Sequence, residues 1–359
     1  MKIPFLSFFL FVGFYAAYSQ DVVSRLYHSA RQFELRSMAQ KPDWANLESA
    51  PLFTVAWLSD LHITDETSEN LVRAACQLLQ QELKPDLTFI TGDNCGLPEN
   101  RLTDFPEISL PLRRQRWLKN FLDREISGRY FLIPGDNWPW EFETVFGAEK
   151  RSFSYAGFHF IFATQDQQAT SQEGCLIFAA DTIPWLKEQL KANQTKPTLL
   201  LMHEPIYPPC FLDAPKIRTL LDENSQILGC LGGHLHLDLE FTSGHWKQFC
   251  CPAIGRSHRP AFKLLRFTKE RIVMTSYEWE NDKQKFIQAD KWQKMDLPEK
   301  FQSGLPSARP PAGFALENMQ EMPARPRQKN QELAERFAEL TNMNMAFMLE
   351  VTLGKLLFK

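Results

Sequence analysis

The sequence has no CxxC pair among its seven cysteines, no basic excess, and no repeat or low-complexity tract before about residue 280. Each absence excludes something. Without paired cysteines at ligand spacing, a zinc ribbon is out. Lys and Arg number 40 against 43 Asp and Glu, so no nucleic-acid-binding patch and no footprint for an anionic membrane is evident. What is present is ordinary: 44% hydrophobic and 23% charged residues over 359 positions, enough for one large core or two modest ones.

One long apolar run exists, at the start. Met1 and Lys2 precede an apolar stretch over residues 3–18, with small residues at Ala17 and Ser19. This is the pattern of a signal peptide over residues 1–19, cleaved after Ser19, and the expected location is secreted or periplasmic. The run is shorter than the ~20 residues of a spanning helix, and no transmembrane span is expected beyond the signal. In an oxidising compartment an odd cysteine count leaves at least one thiol free or paired between chains.

Residues 20–50 read as a mixed-charge lead-in. Short apolar runs then alternate with amphipathic stretches: strands are expected at 52–58, 87–91, 130–133, 198–202 and 227–231, a strand–turn–strand over 153–163, and helices at 68–83, 110–121 and 183–190. Three further strands, at 248–251, 262–267 and 271–277, close the pattern. This alternation predicts a layered α/β core over residues 51–280. Six prolines between 298 and 326 predict an extended linker over 281–327. Apolar spacing through Leu333, Phe337, Leu340, Phe347 and Val351 predicts an amphipathic helix over 328–359.

The chemistry-bearing residues fall just after predicted strands. Asp60-Leu61-His62 follows the first, Gly92-Asp93-Asn94 the second and Gly135-Asp136-Asn137 the third; His203 and Gly233-His234-Leu235-His236 follow two later ones. Groups at the carboxyl ends of α/β strands converge on one rim. Aspartate with neutral imidazole suits Mn, Fe or Zn and argues against calcium. In Asp60-x-His62 and His234-x-His236, the alternation of an extended chain is expected to put both side chains on one side. Two cations ~3.5–4 Å apart can share a carboxylate, bind a phosphate between them and generate hydroxide near neutral pH.

This ordered set resembles the calcineurin-like metallophosphoesterase superfamily, whose pattern is DxH, GDxx, GNH[DE], a histidine after a strand, and GHxH. The resemblance covers roughly residues 53–277. It implies a four-layer α/β/β/α sandwich of two mixed sheets flanked by helices. It also implies two divalent or trivalent metal ions and hydrolysis of a small-molecule or polymeric phosphoester. By motif, Asp60, His62, Asp93 and His236 would hold one metal; Asp93, Asp136, His203 and His234 would hold the other, with Asp93 as the bridge. Asp93, Asp136, Asn137 and His234 are the expected catalytic residues, and Asn137 and His234 the expected substrate contacts.

The third motif departs from the family. Asp136 replaces asparagine and keeps an oxygen donor. Asn137 replaces the histidine thought to protonate the leaving group, and an amide delivers no proton. His245 and His258 are the histidines downstream of the last motif that would have to substitute. No tyrosine stands three residues after Asp93, and no GDxVDRG stretch occurs, which sets the chain apart from purple acid phosphatases and protein serine/threonine phosphatases. The competing readings are a pseudoenzyme that binds metal and a phosphorylated ligand, and a scaffold acting through the C-terminal helix.

Overall fold

The computed structural model describes residues 41–47, 50–168, 176–207 and 210–323. The expected signal peptide and C-terminal helix lie outside the described residues. The chain divides into two compact units, Met1–Ala45 and Asn46–Lys359. Of the first, residues 41–45 are described and carry a 3₁₀ turn at Asp43–Ala45; everything below concerns the second.

Strand β1 (Phe53–Leu58) is apolar on both faces and wholly buried, so it needs cover on two sides. Phe53, Val55 and Trp57 point into one core, and Ala56 and Leu58 into another. Helix α1 (Glu66–Leu78) begins two residues earlier than apolar spacing predicts. Asp65 and Ser68 form a capping box there, with the Ser68 amide donating to Asp65 Oδ1 at 2.8 Å. β2 (Leu87–Thr91), α2 (Leu110–Glu125), β3 (Arg129–Ile133) and α3 (Phe142–Phe146) follow. Ser109 caps α2.

The second half continues with β4 (Lys150–Tyr155), β5 (Phe158–Phe162), the short β6 (Gln167–Gln168) and β7 (Leu176–Ile177), α4 (Thr182–Ala192) and β8 (Thr198–Leu201). After α5 (Ala214–Asp222) come β9 (Ile227–Gly232), β10 (Leu239–Ser243), β11 (Trp246–Cys250), β12 (Ala261–Phe267) and β13 (Arg271–Glu280). β14 (Lys285–Asp296), α6 (Glu299–Gln302) and β15 (Glu317–Met322) complete the described chain.

Two mixed sheets result, ordered β14-β13-β12-β1-β2-β3 and β10-β11-β9-β8-β5-β4-β15. Their facing sides share a core rich in phenylalanine, in which Phe53 stacks on Phe267 with centroids 4.2 Å apart. α1 and α2 cover the outer face of the first sheet through Val72, Ala75, Leu118 and Phe121. α4 and α5 cover the second through Leu186, Leu190, Ile217 and Leu220. The architecture is the four-layer α/β/β/α sandwich.

The linker expected over 281–327 is not a linker up to residue 322. β14 pairs with β13, from Arg271 opposite Asp296 to Glu280 opposite Lys285, and β15 pairs with β4. Pro298 stands at the start of α6, Pro323 just past β15, and Pro306, Pro310 and Pro311 in the connection between them, so none of these interrupts a ladder. The connection between the strands is anchored as well, since Leu305, Phe314 and Leu316 pack on the inter-sheet core. The sheets therefore reach beyond the expected boundary at 280. Among the described residues Cys76, Cys95, Cys230, Cys250 and Cys251 are free thiols.

Candidate metal centre

β1, β2 and β3 run parallel, as do β8 and β9, and the loops leaving their carboxyl ends interlock. The Asp60 amide donates to Gly92 O at 3.0 Å, and the His62 amide to Asp93 O at 2.8 Å. Across to the other sheet, the His234 amide donates to Asp60 Oδ2 at 3.0 Å. Gly92 sits at φ +102°, and a Cβ there would meet His203 Nδ1 at 2.5 Å, so this turn requires glycine.

The ligand loops are not extended. Asp60 (φ 49°), His62 (φ 40°), Asp93 (φ 53°), His234 (φ 66°) and His236 (φ 56°) all occupy the left-handed region. The side chains of Asp60 and His62 share one side because each strand ends in a sharp left-handed turn, not because a strand continues. Such backbone costs ~1–3 kcal/mol per residue and persists only where the surroundings over-determine it. Here the interlocking amide bonds do so.

All seven expected ligands converge. Asp60, His62 and His236 form one group, Asp136, His203 and His234 a second, and Asp60, Asp93 and His203 a third, with ligand atoms within 4.8 Å of one another in each. Asp93 stands between the first two. Its Oδ2 lies 3.3 Å from His62 Nε2, and its Oδ1 3.4 Å from His203 Nε2. Asp60 Oδ1 is 3.2 Å from His236 Nε2, and Asp136 Oδ1 is 3.0 Å from His203 Nε2 and 3.2 Å from His234 Nδ1. The interior ligands are buried; Asp136, His234 and His236 reach solvent, with side chains 14%, 27% and 30% exposed, and mark the mouth.

The donor chemistry fits a cation. The Thr91 carbonyl accepts from His203 Nδ1 at 2.6 Å, which fixes the ring proton there and turns the Nε2 lone pair toward Asp93 and Asp136. The Nε2 atoms of His62 and His236 likewise face each other at 3.0 Å. Burial works against the charged form at His203 and His234, yet Asp93 and Asp136 around the first, and Asp136 with Cys210 around the second, hold both well above the ordinary imidazole range. Burial also opposes ionisation of Asp60 and Asp136, and their histidine neighbours override it and hold both well below the usual carboxylate range.

Asn137 joins the site through Asp93: its backbone amide donates to Oδ1 at 2.9 Å and its side-chain amide to Oδ2 at 2.7 Å. The downstream histidines do not enter the ligand groups. His245 lies at the β10–β11 turn, 3.2 Å from the Asn224 carbonyl, and His258 is exposed on the loop that follows β11.

Three neighbours of the cluster stand outside the expected ligand set. Trp138 puts its ring 5.5 Å from that of His62, edge to face. The His234 ring hydrogen-bonds the Cys210 side chain. Glu204 is buried directly after His203 with neither carboxylate oxygen hydrogen-bonded, and burial pushes its pKa up to about 7. The sequence signal for Glu204 is its adjacency to His203, and for Trp138 its place beside Asn137 at the start of an aromatic-rich loop on the rim.

Comparison with known proteins agrees with this geometry. A family model described as calcineurin-like phosphoesterase matches residues 53–238. Among solved structures, a dimetal phosphatase from Danio rerio is 14% identical, covers 68% of this chain and 99% of its own, and superposes with a TM-score of 0.56. GAP50, described as the anchor in the inner membrane complex of Plasmodium, is 13% identical over 72% of this chain and 96% of its own, with a TM-score of 0.48. Vacuolar protein sorting 29 from Cryptosporidium parvum is 12% identical over 68% and 98%, with a TM-score of 0.40. No curated protein matches the chain in sequence. At 14% identity the likeness to the dimetal phosphatase shows the fold alone.

Proposed function

The chain belongs to the calcineurin-like phosphoesterase family, and on that premise we propose that it hydrolyses a phosphoester, a mono- or diester, using two metal ions drawn from Mn, Fe and Zn. Asp60, His62, Asp93 and His236 would hold one ion, and Asp93, Asp136, His203 and His234 the other. The observation that carries this reading is the split of the Asp93 carboxylate, one oxygen toward His62 at 3.3 Å and the other toward His203 at 3.4 Å. A metal pair so held supplies a Lewis-acid clamp on the phosphoryl group and a nucleophile at neutral pH.

The protein's own contribution is positioning. Thr91 holds His203 in the tautomer that offers Nε2 inward. Ser59 Oγ donates to Asp60 Oδ2 at 2.6 Å, and the His234 amide donates to the same carboxylate, so its orientation is fixed from two sides. Asn137 ties the third-motif loop to Asp93 and offers a hydrogen bond but no proton. The departing alkoxide therefore receives no general-acid help from this position.

The test is hydrolysis of p-nitrophenyl phosphate and bis-p-nitrophenyl phosphate after reconstitution with each metal. The wild type should turn over at least one ester, and Asp93→Ala should lose both metal and turnover. One observation favours the pseudoenzyme reading, namely that the Asn137 amide is engaged by Asp93. Two metals bound per chain with no hydrolysis of either ester would establish that reading and overturn the enzymatic one.

A further inference from the structure

We propose that Trp138 is a stacking platform for the organic group of the substrate, which makes phosphoesters of aryl alcohols or nucleosides the substrate class. The inference rests on the phosphoester reading above and names the substrate of that same site. Trp138 follows Asn137, whose two amides bind the central carboxylate, so the indole stands on the wall of the ligand cluster. Its ring meets that of His62 edge to face, with centroids 5.5 Å apart and planes at 85°.

The placement is built and strained. Trp138 has φ 54°, a conformation that is a genuine outlier for a bulky residue. Buried Gln115 holds it there, its Nε2 donating to the carbonyls of Trp138 at 2.9 Å and Trp140 at 3.1 Å. Residue 96 is glycine, and a Cβ there would lie 2.2, 2.3 and 2.5 Å from Cζ2, Cε2 and Cη2 of the indole. Near-equal approach to three consecutive ring atoms means that one face of the ring lies flat on the Gly96 backbone.

Core packing does not account for this side chain. Trp138 belongs to none of the three hydrophobic cores, neither as a member nor as a residue packed against one. One face rests on Gly96, the ring meets that of His62 edge to face, and the residue keeps partial exposure. A strained backbone that presents an aromatic surface beside a metal cluster is the arrangement expected of a ligand clamp. An aromatic ring stacks on a π face with a gain that an aliphatic group does not match.

The experiment is calorimetric binding of inorganic phosphate, methylphosphonate and phenylphosphonate to the metal-loaded full chain. The phosphonates carry the organic group on a P–C bond that the site does not hydrolyse. The wild type should bind phenylphosphonate about fivefold or more tighter than methylphosphonate. Trp138→Ala should abolish that preference and leave phosphate and methylphosphonate affinities unchanged, and Trp138→Phe should keep most of it. Equal loss for both phosphonates in Trp138→Ala would mean a merely structural role, and no preference in the wild type would overturn stacking outright. Binding of phosphate and methylphosphonate without the preference leaves the phosphoester reading intact. Binding of none of the three removes that reading and this inference with it.

Discussion

Lys263 is almost wholly buried, and its ammonium explains how the His234–His236 turn is held. Nζ donates to Asp238 Oδ1 at 2.5 Å, Gln293 Oε1 at 2.7 Å and Ser276 Oγ at 3.2 Å, and Ser276 Oγ donates to Asp238 Oδ2 at 2.6 Å. The two side chains of the ion pair are 1% and 8% exposed. Asp238 stands two residues after His236, so this network ties the ligand turn to β12, β13 and β14. Lys263→Met takes from buried Asp238 its hydrogen-bonded cation and leaves it Ser276 and the charge of Lys291; breaking such a buried pair costs about 3–5 kcal/mol. For a domain of this size each kcal/mol is worth about 2 °C, so the melting temperature should fall by roughly 6–10 °C.

Replacing both partners, as Asp238→Asn with Lys263→Met, removes the buried charge and should recover most of that loss. The function of the turn should not recover with it. Loosened support behind a ligand typically costs ~10–100-fold in metal affinity, and both variants should show it in competition with a fluorescent chelator. Thermal unfolding by circular dichroism and the chelator titration together decide the matter. A single variant that melts within a degree of the wild type would refute the buried-pair reasoning. A double variant with the sum of two single losses would do the same.

The absent third-motif histidine gives a second expectation: aryl phosphates should turn over faster than alkyl phosphates, and Asn137→His should raise turnover of the alkyl esters, by up to ~10²-fold. Equal rates on both ester classes, or no gain in the variant at any pH, would sink it. The histidines also set a pH dependence in metal-free protein. His203 and His234 have folded pKa values raised above their unfolded ones by Asp93 and Asp136. Their contribution is thus fully present below about pH 6.5 and lost as pH rises through the raised values. Urea unfolding in chelator should show stability falling from pH 6 toward pH 9. Metal binds neutral imidazoles, so its addition should restore stability most at the alkaline end; equal stability at both pH values without metal would refute the assignment.

What could be read from the sequence was local. Strand–helix alternation marked the two parallel halves, and the rule that ligands follow strands picked out Asp60, His62, Asp93, Asp136, His203, His234 and His236, which the fold then brings together. Apart from the two-residue β6 and β7, the strands that escaped, β10, β14 and β15, are partly exposed and carry charge, for example Lys285, Asp290, Lys291 and Lys294 in β14. Their pairing is made by main-chain bonds to a neighbour, which leaves no apolar run to read. Pro298 to Pro323 likewise looked like a break because prolines report only their own positions, not the strands they flank.

The sequence by itself determined which donors were available and in which order, because ligand chemistry is a property of side chains. It also determined that position 137 lacks a proton donor. The tertiary structure alone decided how those donors face one another. Left-handed turns at five ligands, the Asp93 carboxylate divided between two histidines, and Trp138 laid on Gly96 beside His62 all depend on two sheets docking their strand ends. Backbone strain of that kind is tolerated only when contacts distant in sequence enforce it, and no local pattern encodes contacts between residues 60 and 234 or 96 and 138.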